Sequence, residues 1–242
     1  MSAFEQQTEV LKLMDGLRFS AGPDYWTLEP LKLSAGAWMA MTPGGDEPVV
    51  DPSGKLAFIL ATMAEPIRGN VALFGQDVYR LDYSDRLRLR ARIGFVHGYG
   101  GLISNLTVRE NIALPVSVHG KMTTADKVAR ADQILKRFAL EKVANLQPHR
   151  MDGATRWRAC LARALVLEPE WLVLEGLGNW EMDRGRSKGW TCLLEQQSKG
   201  RMATAICLPR QNPEFESWFK ELNGEVVCYT RLEDRPKGEE NR

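Results

Sequence analysis

The run Trp171-Leu-Val-Leu-Glu175 constrains the fold most. It follows a Glu-Pro-Glu turn, stays apolar until its last residue and stops at Gly176. A strand without polar alternation is buried on both faces, the condition of a central strand in a parallel sheet. Such a sheet needs helices between its strands, and the chain supplies that alternation. LAFILATMA reads as a short buried helix, and Val71 onward as a strand after a Pro-Gly turn. RIGFVHG reads as a strand, WTCLLEQQ as a helix, ATAIC as a strand and ELNGEVVCYT as a hairpin. The pattern predicts an α/β fold with a mainly parallel sheet.

Two further regions stand apart. Residues 10–41 hold short apolar runs separated by turns, suited to antiparallel strands. Thr42–Lys55, rich in Gly, Pro and Asp, reads as a loop. Residues 103–165 contain only helical patterns. LTVRENIALPV opens one, TRWRACLARALVL forms another, and between them Val128, Ala131, Ile134, Leu135 and Phe138 recur at helical steps. The expected organisation is one domain over 1–232, with a helical subdomain at about 103–165 inserted in the α/β core. Residues 233–242, EDRPKGEENR, are expected to form a disordered tail.

Charge excludes some partners. With 32 basic and 31 acidic residues the formal net charge is +1, which gives nucleic acid no general attraction. Arg86, Arg88, Arg90 and Arg92 alternate with leucines and lie near Asp82 and Asp85, as on a solvated helix face. No stretch reaches the ~18 consecutive apolar residues of a membrane span. The polar N-terminus has no secretory core, so a cytoplasmic location is expected. Cys160, Cys192, Cys207 and Cys228 form no C-x-x-C pair and read as small buried residues. His97, His119 and His149 have no metal-ligand spacing; no metal site is expected.

Five segments in order carry a family resemblance: LSAG around 34–36, EPIRGNVALFGQDV, IGFVHGYGGLISNLTVRENIALP, RACLARALVLEPEWLVLE and RQNPEF. Over roughly residues 10–230 the chain resembles the ATP-binding subunit of ABC transporters. The wording around 102–120 and 155–175 is most similar to the ATPases of Mla/MCE-type phospholipid transporters. The resemblance implies a P-loop NTPase-like nucleotide-binding domain with N-terminal antiparallel strands and an inserted helical subdomain. It also implies ATP and Mg²⁺ as ligands if the site still functions. The implied partners are a transmembrane permease, a second nucleotide-binding subunit (identical or not) and an MCE-type substrate-binding protein. The place it implies is the inner face of the cell membrane, reached through the permease.

The same alignment puts unusual residues at the chemical positions. Ser53-Gly54-Lys55 stands for the phosphate loop, but Leu56 replaces the Mg²⁺-binding hydroxyl, and Asp46, Glu47 and Asp51 lie just upstream. Carboxylates there oppose anion binding. Gly98 occupies the Q-loop glutamine position, beside His97, which reads as a simple loop residue. In the signature, Asp152-Gly153 brings a carboxylate where a serine would face a γ-phosphate. Glu175-Gly176 ends the Walker B strand, so the second carboxylate is missing. Arg210 takes the switch-histidine place and Ala21 that of the adenine-stacking aromatic, with core packing expected for Phe19, Tyr25 and Trp26. No catalytic residue is assigned. The implied function is a catalytically impaired subunit acting as a structural or regulatory partner. The alternatives are an ATP-hydrolysing subunit with altered motifs and a scaffold unconnected with transport.

Overall fold

In the computed structural model, which describes residues 9–45, 50–98, 100–119, 123–176 and 187–232, Trp171–Glu175 is a strand with every residue buried. It pairs in parallel with Ala203–Cys207 on one side and Ile93–Val96 on the other. In chain order the strands are β1 (Glu9–Leu13), β2 (Leu17–Ala21), β3 (Asp24–Leu28), β4 (Leu31–Ser34), β5 (Trp38–Gly44), β6 (Val71–Leu73), β7 (Gln76–Asp77), β8 (Ile93–Val96), β9 (Trp171–Glu175), β10 (Ala203–Cys207) and β11 (Glu225–Leu232). The main sheet runs β2-β3-β11-β5-β10-β9-β8. Its five strands from β11 to β8 are mutually parallel, while β2 and β3 are antiparallel at one edge. A second, antiparallel sheet has the order β4-β1-β6-β7.

The helices are α1 (Ser53–Leu60), α2 (Tyr83–Arg90), α3 (Val108–His119), α4 (Thr124–Arg137), α5 (Gly153–Leu165), α6 (Lys188–Gln197) and α7 (Pro213–Glu221). Side-chain alternation along the central strands splits the core in two. Trp38, Ala40, Leu172, Leu174 and Ile206 face a cluster built with α3 to α7. Met39, Met41, Trp171, Val173 and Ala205 face α1 and the antiparallel strands. Each face buries large side chains, at ~1.5–3 kcal/mol apiece relative to exposure. Trp171 also donates its indole N–H to the Leu60 carbonyl at 2.9 Å, tying β9 to the end of α1.

The α3–α5 stretch lies between β8 and β9 in the chain. Its entry is a capping box: Thr107 N–H donates to Glu110 Oε2 at 2.7 Å, and Glu110 N–H to Thr107 Oγ1 at 3.2 Å. No helix among the described residues is long and apolar enough to cross a membrane.

Four expectations need correction. β5 runs on through Thr42–Gly44 and α1 already starts at Ser53, so the loop is shorter at both ends; Thr42–Gly44 pair with β11 alone, which leaves Pro43 a side with no ladder bond to lose. Residues 221–230 are not a hairpin. Asn223, at φ 59°, ends α7, and β11 then runs parallel to β5. Asn-Gly signals either a hairpin turn or a helix stop, and here it is the stop. Val128 is 52% exposed because α4 buries only Ala131, Ile134 and Leu135, followed by Phe138 at its end. Cys228 is exposed, unlike the other three cysteines. The expected tail, 233–242, and the acidic Asp46 and Glu47 lie outside the described residues.

Candidate functional site

The carboxyl ends of β5, β8, β9 and β10 and the N-terminus of α1 meet at one edge of the sheet. In open α/β sheets this edge is where ligands bind. A helix N-terminus there offers unpaired N–H groups and positive potential to an anion.

Glu175 is the centre of the cluster. It closes β9, and its side chain is 8% exposed. Its Oε2 lies 3.3 Å from His97 Nδ1 and accepts the Gly98 N–H, also at 3.3 Å. On its other side it crowds α1: a Cβ on Gly54 would stand 3.0 Å from Oε1. Glycine at positions 54 and 98 is what lets a buried carboxylate fit between the helix and the loop after β8. His97 is more than a loop residue. Its ring packs edge-on against Phe58 at 5.6 Å and near Phe95 at 6.2 Å, which holds Nδ1 towards Glu175. Sequence reading missed this because the pairing partner is 78 positions away and carries no spacing signal.

A second carboxylate reaches the same helix. Asp51 Oδ1 accepts the Ser53 N–H at 2.8 Å. Pro52, the N-cap residue, makes no side-chain cap bond, so Asp51 caps α1 from one position further out. Helices α2, α4, α5, α6 and α7 are instead capped by their own N-cap side chains. Asp51 and Glu175 both act on Cys207. Burial pushes its thiol far above the usual range, and the two negative charges add to the shift. Two hydroxyls close by in sequence to this corner, Ser53 Oγ and Thr42 Oγ1, are fully buried without a hydrogen-bond partner among the described residues.

Ser53, Gly54, Gly98 and Glu175 are therefore brought together. Lys55 is half-buried on the first turn of the same helix. Arg210 is exposed on the turn after β10, whose last residue, Cys207, is the register partner of Glu175. Asp152 and Gly153 stand elsewhere, exposed at the start of α5, which packs against the other face of the sheet. Asp152 accepts from Thr155 N–H and Thr155 Oγ1, both at 2.8 Å, and these bonds hold its carboxyl below the ordinary range. Of the aromatic residues near Ala21, Phe19 and Trp26 are core, each edge-on to Tyr229.

A family model described as ABC transporter matches residues 52–175, from the start of α1 to Glu175. The lipoprotein-releasing system ATP-binding protein LolD 1 of Rhodopirellula baltica is 34% identical over 171 residues, 69% of this chain and 74% of that protein. The chain belongs to the ABC transporter family. The LolD 1 protein of Rhodopseudomonas palustris is 31% identical over 203 residues, covering 82% of this chain and 88% of its own length. The dimeric structure of a bacterial ABC transporter cassette superposes with a TM-score of 0.72 at 21% identity, over 91% of this chain and 94% of that one, which establishes the shared fold. The chain is thus an ABC transporter ATP-binding-type subunit with the P-loop NTPase-like fold.

For an ABC subunit the question is whether this corner fits a magnesium–triphosphate. A phosphate loop needs open backbone donors, a hydroxyl after its lysine and carboxylates beyond the Walker B strand. Here the Ser53 donor is already engaged by Asp51. Leu56 offers no oxygen and is fully buried in the core. Gly176 offers no carboxylate. Its φ of 74° is in the left-handed region, so a glutamate would be strained there, although a Cβ would meet nothing nearer than 3.9 Å. These three positions do not fit that ligand.

Proposed function

We propose that this chain is a nucleotide-binding-domain subunit of a membrane transporter that does not turn over ATP and acts as a structural or regulatory partner. The observation that carries the reading is Gly176. The position after Glu175 has neither a carboxylate nor a backbone conformation suited to one. Loss of a group that positions or activates water costs about 10²–10⁴-fold in rate.

In this reading the subunit sits on the inner face of the membrane, docked to a transmembrane permease. The docking element is the loop leading into α3. Asn111, fully buried, accepts the Ile103 N–H at 2.8 Å and donates to the carbonyls of Ile103, Leu106 and Thr107, which fixes that loop's shape. A second nucleotide-binding subunit completes the pair. There Asp152 faces the partner's phosphate loop as an ionised carboxylate and opposes a γ-phosphate. The cargo we propose is a lipid, with an MCE-type binding protein in the assembly. Its support is the wording of 102–120 and 155–175.

The test is Mg²⁺-ATP hydrolysis by the purified chain, alone and in the membrane complex that co-purifies with it. No turnover by this subunit is expected in either state. Turnover that disappears in Lys55→Ala and in Glu175→Gln overturns the reading and makes the altered loops a working site.

A further inference from the structure

We propose that the cavity at the amino ends of β8, β9 and β10 binds a small organic phosphate, its dianionic head held by Lys199 and Arg201 and its apolar body lying against Phe74 and Ala35. The cavity is at the opposite end of these strands from Glu175, a strand length or roughly 15 Å away. It is therefore independent of the reading above.

The cavity has a volume of about 880 Å³, within the range of sites for small organic ligands. Three turns border it: the α6–β10 turn with Lys199 and Arg201, the turn before β9 with Glu168 and Glu170, and the β6–β7 turn with Phe74. Backbone bonds fix these turns. Glu170 and Trp171 N–H donate to the Arg92 carbonyl at 3.0 and 3.2 Å, and Ala203 N–H to the Glu170 carbonyl at 2.9 Å. Gly36 N–H donates to the Met202 carbonyl at 3.2 Å, and Gln197 Nε2 to the Gly36 and Ala37 carbonyls at 2.8 and 3.1 Å. A Cβ on Gly36 would stand 3.1 Å from the Gly200 backbone. Lys199 and Arg201 are thus carried by a turn clamped to the one between β4 and β5.

The acidic side chains of the cavity are already matched. Glu170 holds Arg92 through both oxygens, at 2.6 and 2.8 Å. Glu168 pairs with Arg130 at 2.9 Å, and Lys199 acts on it only from further off. Glu9 pairs with Lys32 at 3.5 Å. Two cations are left over. Lys199 Nζ donates to the neutral Gln196 Oε1 at 3.0 Å, and the Arg201 side chain has no partner among the described residues. The carboxyl end of α6 does not use them: its Leu194, Gln196 and Gln197 carbonyls accept from the Ser198, Lys199 and Gly200 N–H groups at 2.9, 3.3 and 3.0 Å. A surplus of two positive charges suits a dianion, and a phosphate monoester carries about −1.5 to −2 at pH 7. Arginine adds a planar fork that matches phosphate oxygens. Arg92 supplies wall rather than charge. Its edge is taken by Glu170 and its guanidinium lies 3.6 Å over the Phe74 ring. That stack, with Ala35 and Pro169, gives an organic group its apolar surface.

The experiment is calorimetric binding of phenyl phosphate to the full-length chain, with benzoate as the singly charged comparison and thermal melting to verify each fold. Wild type should bind phenyl phosphate, and more tightly than benzoate. The double variant Lys199→Gln, Arg201→Gln should bind at least tenfold more weakly, while Lys220→Gln, which removes a charge from the exposed side of α7, should bind as wild type does. Phenyl phosphate should also protect Lys199 from acetylation by acetic anhydride, read by mass spectrometry. No measurable binding by wild type, or equal affinity in the folded double variant, overturns the proposal. Loss of binding in Lys55→Ala but not in the double variant puts the ligand at α1 and overturns it too. Benzoate binding as tightly as phenyl phosphate overturns the assignment of a dianion.

Discussion

Replacing Asn111 by alanine should destabilise the protein by about 3 kcal/mol, with most of the damage in the loop before α3. Asn111 is fully buried, so water cannot take over its bonds. Its Oδ1 receives the Ile103 N–H at 2.8 Å. Its Nδ2 faces the carbonyls of Ile103, Leu106 and Thr107 at 3.1, 3.2 and 3.0 Å, but an amide has two hydrogens, so two of those contacts are full bonds at any moment. Three effective bonds at roughly 1 kcal/mol each give the estimate. Leaving the Ile103 N–H unpaired adds up to about 1–3 kcal/mol unless the loop opens to water. The assay is urea unfolding, with the midpoint lowered at constant m-value. For a chain of this size the melting temperature should fall by roughly 6–12 °C. Ser117→Ala, on the exposed end of the same helix, should change stability by less than about 0.5 kcal/mol. In native-state hydrogen exchange the Ile103 amide should lose its protection in Asn111→Ala while the β9 amides keep theirs. A loss below about 0.5 kcal/mol, or an unchanged Ile103 amide, refutes the view that one side chain holds this loop.

Other outcomes follow from the same contacts. Asp152→Ser should keep the α5 cap and alter stability little, while Asp152→Ala should cost about 0.5–2 kcal/mol in denaturant unfolding. The Arg92 side chain, which binds both oxygens of Glu170 at 2.6 and 2.8 Å, holds its carboxyl below the ordinary glutamate range. A depressed carboxyl stabilises above its unfolded pKa and loses that contribution as pH falls through the folded one. Stability should therefore drop as pH falls below about 4.3, and Arg92→Met should flatten that part of the profile in melts taken across the range. A thiol reagent should label Cys228 alone in the native protein, because Cys160, pushed up to about 11 by burial, stays a protonated and enclosed thiol, and Cys192 and Cys207 are buried too. Rapid labelling of two or more cysteines under native conditions would contradict that packing.

Where the sequence was legible, a local pattern coincided with a physical need. WLVLE had to be a central strand because its first four residues are all apolar and alternate with nothing polar, and β9 is that strand. The apolar steps of α4 gave its buried residues except at Val128, where periodicity runs past the surface that covers it. Asn-Gly at 223–224 failed as a hairpin signal because the dipeptide stops helices and turns strands alike, and only the amphipathic α7 before it decides between them. The candidate site was legible as a set of positions but not as a set of contacts. Position by position, Asp51 is one of several charges near a loop and His97 a simple loop residue. Asp51 is instead a cap for α1, made necessary by Pro52, whose side chain cannot cap. His97 is the clamp on a glutamate 78 residues away. Asp152 illustrates the same point from the opposite side. In the proposed dimer its carboxylate would oppose a phosphate; in this chain it is a capping residue that bonds both the amide and the hydroxyl of Thr155. The carboxylates at α1 and α5 have the capping role in common: each accepts a backbone N–H at the positive end of its helix.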